Sequence, residues 1–254
     1  KILARLPAKR QTMFFSATLP PDIVRLANTM VRDPVRVDVT PDIPVVELID
    51  QRLMYIDRKD KLPLLEMVLR ENGANRVLVF TRTKHGANKI VRLLDNAGIR
   101  GQAIHGNKAQ NARTKALEDF RAGRVRVLVA TDIAARGIDV EGITYVVNFD
   151  IPNVPETYIH RIGRTAHAGN AGISMSFCDS EERAYVRDIE KLMKRHIPVF
   201  RNHPYHSEAA AKSTSPPPPQ GGRGQGRPRQ GGRPSSGGRP HSGGRPYGGH
   251  RGDA

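Results

Sequence analysis

Residues 46–205 alternate two rhythms of hydrophobic and polar positions. Short β-branched runs, Arg76-Val-Leu-Val-Phe80, Val125-Arg-Val-Leu-Val-Ala130 and Tyr145-Val-Val-Asn-Phe149, predict strands buried on both faces, as a parallel sheet requires. Between them, helical patterns cover Asp60 to Arg70, Lys84 to Asn96, Gln110 to Arg121, Val154 to Ile162 and Ser180 to Arg195. Asn96-Ala-Gly98 supplies a glycine stop, and Pro198 follows the last helix. The alternation predicts an α/β domain over 47–205, with helices on both faces of a parallel sheet. Residues 1–40 predict a strand (Gln11 to Phe15), a helix (Pro21 to Met30) and a strand (Val35 to Asp38). That is too little for a domain and reads as the end of a preceding α/β unit, with the proline-bearing 41–46 as a linker. The chain starts at Lys1, mid-pattern and without an initiator Met, which suggests a fragment.

The pattern stops near residue 206. From there to Ala254 aliphatic residues almost vanish, and Gly, Pro, Arg and Ser take over, with Gly-Gly-Arg-Pro recurring at 231–234, 237–240 and 243–246. Such a segment cannot bury enough apolar surface to offset its ordering entropy, so 206–254 is expected to be a disordered tail. The tail holds eight Lys/Arg against two Asp/Glu, a net +6 of the chain's +16, so the folded part is basic as well. A basic excess on this scale points to a polyanion, nucleic acid before an anionic membrane surface. Cys178 is the one cysteine, which excludes a disulfide framework, argues against a cysteine zinc site and fits a reducing, cytoplasmic location. No apolar stretch approaches the roughly 18 residues of a membrane span.

Ligands of open parallel sheets bind beyond the carboxyl ends of the strands, and the polar clusters fall there. After Val127-Leu-Val-Ala130 comes Thr131-Asp-Ile-Ala-Ala-Arg-Gly-Ile-Asp139, whose hydroxyl, guanidinium, glycine and carboxylate suit a loop touching phosphates and a ribose. His160-Arg-Ile-Gly-Arg-Thr165 offers two cations three apart, as charge developing on a γ-phosphate needs. Ile104-His-Gly106 with Gln110-Asn-Ala-Arg113, and Phe80-Thr-Arg-Thr-Lys84, each carry a strand end into a helix N-terminus, a ready phosphate site. Phe15-Ser-Ala-Thr18 lies in the incomplete N-terminal piece. Taken singly, each cluster has an ordinary reading too: a helix cap at Thr131 or Asp132, a solvated basic helix end, a loop histidine.

Their order and spacing are more telling. Ser16-Ala-Thr18, Val79-Phe80 with Thr83, His105-Gly106, Gln110 to Arg113, Thr131 to Asp139 and His160 to Thr165 resemble motifs III to VI of the DEAD-box ATP-dependent RNA helicases of superfamily 2. Asp188-Ile-Glu-Lys-Leu through Ile197-Pro is similar to the bacterial RhlE-like subgroup. The resemblance implies a RecA-like parallel sheet (the helicase C-terminal domain), a remnant of the first RecA-like domain before it, and an ATP site closed between the two domains over single-stranded RNA. It implies that Asp139 contacts the ribose, with Gly137 allowing close approach, and that Arg164 is the finger on the γ-phosphate. His160, Arg161 and Gln110 would bridge to the other domain, and Ser16 and Thr18 would couple hydrolysis to strand separation. Thr83, Gly106, Arg113, Thr131 and Arg136 would grip the RNA backbone without reading its sequence.

Two departures temper the activity. Nowhere do the 254 residues contain a Gly-x-x-x-x-Gly-Lys-Ser/Thr loop or an Asp-Glu-Ala-Asp string. The phosphate cradle and the Mg²⁺ carboxylate would therefore come from the missing N-terminal domain, and the chain alone should hydrolyse nothing. The family's Arg-Thr-Gly-Arg is here Arg164-Thr-Ala-His167, so a second γ-phosphate arginine has become an imidazole, and weakened hydrolysis is expected. The alternative is a stand-alone, non-catalytic RNA-binding module from a truncated gene.

Overall fold

A computed structural model describes residues 5–7, 9–16, 19, 21–38, 48–71, 73–135, 138, 140–165 and 172–216. The β-branched runs pair as their burial demands. Six strands, β1 (Ile49–Tyr55), β2 (Val77–Phe80), β3 (Gly101–Ile104), β4 (Val127–Ala130), β5 (Tyr145–Asn148) and β6 (Gly172–Cys178), form one sheet in the order β1-β6-β5-β2-β4-β3. All five pairings are parallel. Every residue of β2, β4 and β5 is buried, which explains why these three read as unbroken apolar runs.

Alternate side chains serve opposite faces. Val77, Val79, Val127, Val129 and Val147 share a core with Leu64, Leu65, Val68 and Leu69 of α2 (Lys61–Arg70) and Ala87, Ile90 and Leu94 of α3 (Lys84–Asn96). Leu78, Phe80, Leu128 and Val146 pack on the other face with Ala116 and Phe120 of α4 (Gln110–Arg121) and with the short α5 (Asp132–Ala135). On the β1 side, α6 (Pro155–Ile162) and α7 (Arg183–Met193) bury Tyr158, Ile162, Val186 and Ile189 against Leu53 and Tyr55. Helices therefore cover both faces, as the alternation predicted. No described helix is long and apolar enough to cross a membrane.

Two expectations need correction. Gln11 to Phe15 and Val35 to Asp38 form no strand; among the described residues between them the one helix is α1 (Pro21–Asn28), and none of its residues is buried. A strand needs a neighbour to take its backbone groups, and Phe15, Val35 and Val37 stand 84%, 89% and 78% exposed. The disordered tail expected from 206 does not hold for 207–212, and its residues 217–254 lie outside the described residues. Ser207 donates its backbone N–H to Tyr55 O at 2.9 Å and caps α8 (Glu208–Lys212) by accepting from Ala210 N, and Ala210 is buried. The predicted linker 41–46 lies outside the described residues.

The segment before α8 closes a sheet edge. Leu53 of β1 donates to Pro198 O, and Phe200 N donates back to Leu53 O, each at 2.8 Å, in a parallel bridge beside the edge strand. An open edge is thereby covered.

Candidate nucleotide and nucleic-acid face

The chain order reverses around β2, which lies between β5 and β4, the point beyond whose carboxyl ends open parallel sheets take their ligands in a crevice. Backbone bonds extend the ladders into the loops there. Thr81 N donates to Ala130 O at 3.0 Å, Thr131 N to Ile104 O at 3.2 Å and Phe149 N to Phe80 O at 3.0 Å. The clusters starting at Thr81, His105, Thr131 and Phe149 are thus held side by side.

Arg161 is the brace of this edge. It is 2% exposed, and its guanidinium grips Asp132 bidentately, Nε to Oδ1 at 2.6 Å and the second terminal nitrogen to Oδ2 at 2.9 Å. Its other terminal nitrogen reaches Asn148 Oδ1 at 3.1 Å and Asp150 O at 2.7 Å, and the group lies 4.9 Å from the Phe80 ring centroid. The resemblance implied an arm reaching to another domain. Within this domain Arg161 ties β2, β5 and α5 together, because a buried guanidinium must satisfy its donors nearby.

Arg164 follows, half-buried, donating to Ile138 O at 3.0 Å. Thr165 Oγ1 donates to Ile143 O at 2.7 Å, and a Cβ at Gly172 would collide with the Thr165 side chain, so only glycine fits beside it. The 160–165 cluster is therefore fastened along the 131–144 segment at three points. His160 is exposed at its rim. Arg136, Gly137, Asp139, Ala166 and His167 lie outside the described residues.

A second group gathers at the β2, β3 and β4 ends. Thr83 caps α3, its hydroxyl accepting from Gly86 N at 2.9 Å, and Gly86 is required because a Cβ there would sit 2.7 Å from Thr81 Oγ1. His105 is buried, with Nε2 3.1 Å from Asn88 Oδ1, and its Nδ1 has no partner among the described residues. Burial first, then Lys108, Lys84 and His85, lower its pKa, so the ring is neutral at pH 7. Gly106 is exposed, with open space where a Cβ would stand. In the first turn of α4, Arg113 is half-buried and donates to Gln110 Oε1 at 3.2 Å, while its buried Nε has no described partner. Thr131 is half-buried between these groups and the brace, its carbonyl accepting from Ala134 and Ala135. Ser16 is exposed in the N-terminal segment, and Thr18 lies outside the described residues.

Sequence reasoning missed the network that fixes the β5 and β6 ends. Lys61, 1% exposed, places Nζ 2.5 Å from Glu182 Oε2 and 3.2 Å from Asp179 Oδ2, with Asp150 Oδ1 at 4.0 Å. Glu182 also accepts from Arg82 at 2.7 Å and Ile151 N at 3.1 Å. Asp150 accepts from Thr81 Oγ1 at 2.7 Å and Arg82 N at 2.8 Å. Burial works against the Lys61 ammonium, yet Glu182, Asp150 and Asp179 together hold its pKa above the ordinary lysine value. Burial likewise opposes ionisation of Asp150, but Lys61, the Arg82 backbone N–H and the Thr81 hydroxyl hold its carboxyl below the usual range. For Glu182 burial prevails and pushes the carboxyl up. Lys61 and Glu182 stand 121 residues apart, and no local pattern could pair them. Among the described residues no three His, Cys, Asp or Glu side chains are grouped to hold a metal ion.

Comparison with known proteins gives this edge a context. Residues 60–169 match the family described as helicase conserved C-terminal domain. ATP-dependent RNA helicase CshA of Listeria monocytogenes is 38% identical over 196 residues, 77% of this chain and 38% of that protein. DEAD-box ATP-dependent RNA helicase CshA of Geobacillus kaustophilus is 40% identical over 194 residues, 76% of this chain and 42% of that one. The chain thus spans about two fifths of the length of these curated relatives. Among solved structures, the E. coli DEAD-box protein SrmB bound to regulator of ribonuclease activity A is 34% identical with a TM-score of 0.58, and 63% of this chain covers 98% of that one. S. cerevisiae Dbp5 bound to RNA and ADP BeF3 is 27% identical with a TM-score of 0.70, over 78% of this chain and 53% of that one.

Proposed function

Because the chain belongs to the DEAD-box RNA helicases and carries their C-terminal helicase domain, we propose that it supplies one wall of an interdomain ATP site and part of an RNA-binding surface. The observation that carries this reading is the fastening of the 160–165 cluster onto the 131–144 segment, through Arg161 to Asp132 and Arg164 to Ile138 O. Residues far apart in sequence thereby share one edge, with Arg164 against the Ile138 carbonyl. In this reading Arg164 faces the nucleotide phosphates, Gly137 and Asp139 meet the ribose, and His160, Gln110, Ser16 and Thr18 serve the closure of two domains. Thr83, Gly106, Arg113, Thr131 and Arg136 hold the RNA backbone. The partly unsatisfied Arg113 guanidinium and the open space over Gly106 suit a phosphate strand passing there.

ATP would supply the free energy when bound, and in this reading Arg164 serves its anionic part and Asp139 its ribose. The phosphate cradle and the carboxylates for Mg²⁺ belong, in this reading, to the first RecA-like domain, without which the chain unwinds nothing. RNA backbone contacts position a strand without reading its bases, so little sequence preference follows.

His167 gives the reading a direct test. An imidazole cannot replace a fixed, bidentate guanidinium, and loss of an arginine finger costs roughly 10³-fold or more in rate. In the protein joined to its first domain, H167R should raise RNA-stimulated ATP hydrolysis at least several-fold, and R164A should abolish it. Unchanged rates in both variants would refute the assignment.

A further inference from the structure

Away from this edge, α7 carries a second charged surface. The chain leaves the carboxyl end of β6 at Cys178, runs through α7, and next appears at 198–200 parallel to β1. The helix must therefore run back across the sheet, and its last turn stands at the edge opposite the crevice.

Arg187, Lys191 and Lys194 fall within about 60° of one another around the helix, and Arg195 borders them. All four are exposed, and among the described residues none has a hydrogen-bonding or ionic partner for its side chain. With Glu190 and His196 they line a shallow depression of about 320 Å³. Glu190 does not cancel them freely. Its carboxylate is turned inward, accepting from Ile197 N at 3.1 Å and lying 3.3 Å from His196 Nδ1. Asp188 is exposed about 100° round the helix from Arg187, at the margin of the patch. Lys194 caps α7 in the left-handed conformation (φ 54°), which bends the chain and brings Arg195 and His196 back beside the stripe.

Cations near a helix C-terminus gain from its dipole, which accounts for one or two of them. Four unpaired cations lining one depression exceed that need, and their mutual repulsion calls for a counter-anion. We propose that this patch is a second RNA-binding surface, which takes the phosphate backbone of duplex RNA outside the strand held at the crevice. The stripe from Arg187 to Arg195 is about 12 Å long, so it can follow several successive phosphates. Its lining contains no Phe, Tyr or Trp, and its one ring, His196, lies against the Glu190 carboxylate. Binders of single strands depend on stacking platforms, whereas a duplex is met through its backbone and shape. The choice of polyanion rests on the RNA reading above; the charge and geometry of the patch do not.

The test is binding of a blunt RNA duplex to the full chain across a salt series, comparing the parent with R187Q/K191Q/R195Q, whose changes are all on exposed positions. The salt slope of log K should fall by about 2 to 3, with the same loss for unrelated duplex sequences of one length. R113A, at the crevice, should leave blunt-duplex binding unchanged while weakening single-strand binding, so failure of the crevice assignment reads separately. Should the triple variant misfold, R187Q and K191Q singly should each lower the slope by about 1. An unchanged affinity and slope in these variants would overturn the proposal. So would displacement of polyglutamate, but not of duplex RNA, by the same substitutions, which would mark the patch as a site for acidic protein.

Discussion

Four of the five guanidinium N–H groups of Arg161 are engaged inside the domain, so its first task is mechanical. R161Q would leave Asp132 without its bidentate partner and Asn148 and Asp150 O without a donor. Asp132 keeps a third of its side-chain surface in water, 36%, which softens the penalty. A loss of about 2–3 kcal/mol is expected in urea unfolding. R161K keeps the charge but not the fork, and should recover less than half of it. An R161Q variant as stable as the parent would show that the arginine braces nothing and is free for ligand. At this same scale the motif strings point to candidate residues but not to their division of labour. His160, Arg161 and Arg164 look alike in sequence; burial separates them into an exposed rim, a buried brace and a half-buried cation.

At the scale of elements, legibility followed burial. β2, β4 and β5 are buried on both faces and announced themselves as apolar runs, and the starts and stops of α3 and α4 match the pattern at both ends. The edge strand β1 did not stand out. Its Asp50 and Arg52 side chains point away from the core and pair with each other at 2.9 Å, which breaks the apolar signal. The helix α8 lay in a segment whose composition belongs to the tail, and only one of its five residues, Ala210, is buried. Sequence supplies almost no signal for such an anchor, because a hydroxyl cap and one methyl group hold it. A chain ending at 216 should therefore keep the melting temperature of the full chain. One ending at 205 loses the Ser207 bond to Tyr55 O, the Ser207 to Asp57 bond at 2.7 Å and the seat of Ala210. It should melt several degrees lower, as a loss of about 1–2 kcal/mol implies. Equal melting of the two would mean that the strap contributes nothing.

For the whole molecule, the sheet order sets the functional geometry. Placing β2 between β5 and β4 brings loops from five parts of the chain to one crevice, while α7 carries a separate basic surface to the far edge. The proposed division of work is therefore spatial: nucleotide and single strand on one side, duplex backbone on the other. The most direct check of the central claim is the affinity of residues 1–216 for one single-stranded sequence as RNA and as DNA, measured by fluorescence anisotropy with the parent and R113A. Without the basic tail, the parent should bind RNA in preference to DNA, more weakly as salt rises, and R113A should lose roughly tenfold in affinity whatever the RNA sequence. Equal binding of RNA and DNA, with R113A indistinguishable from the parent, would contradict the account.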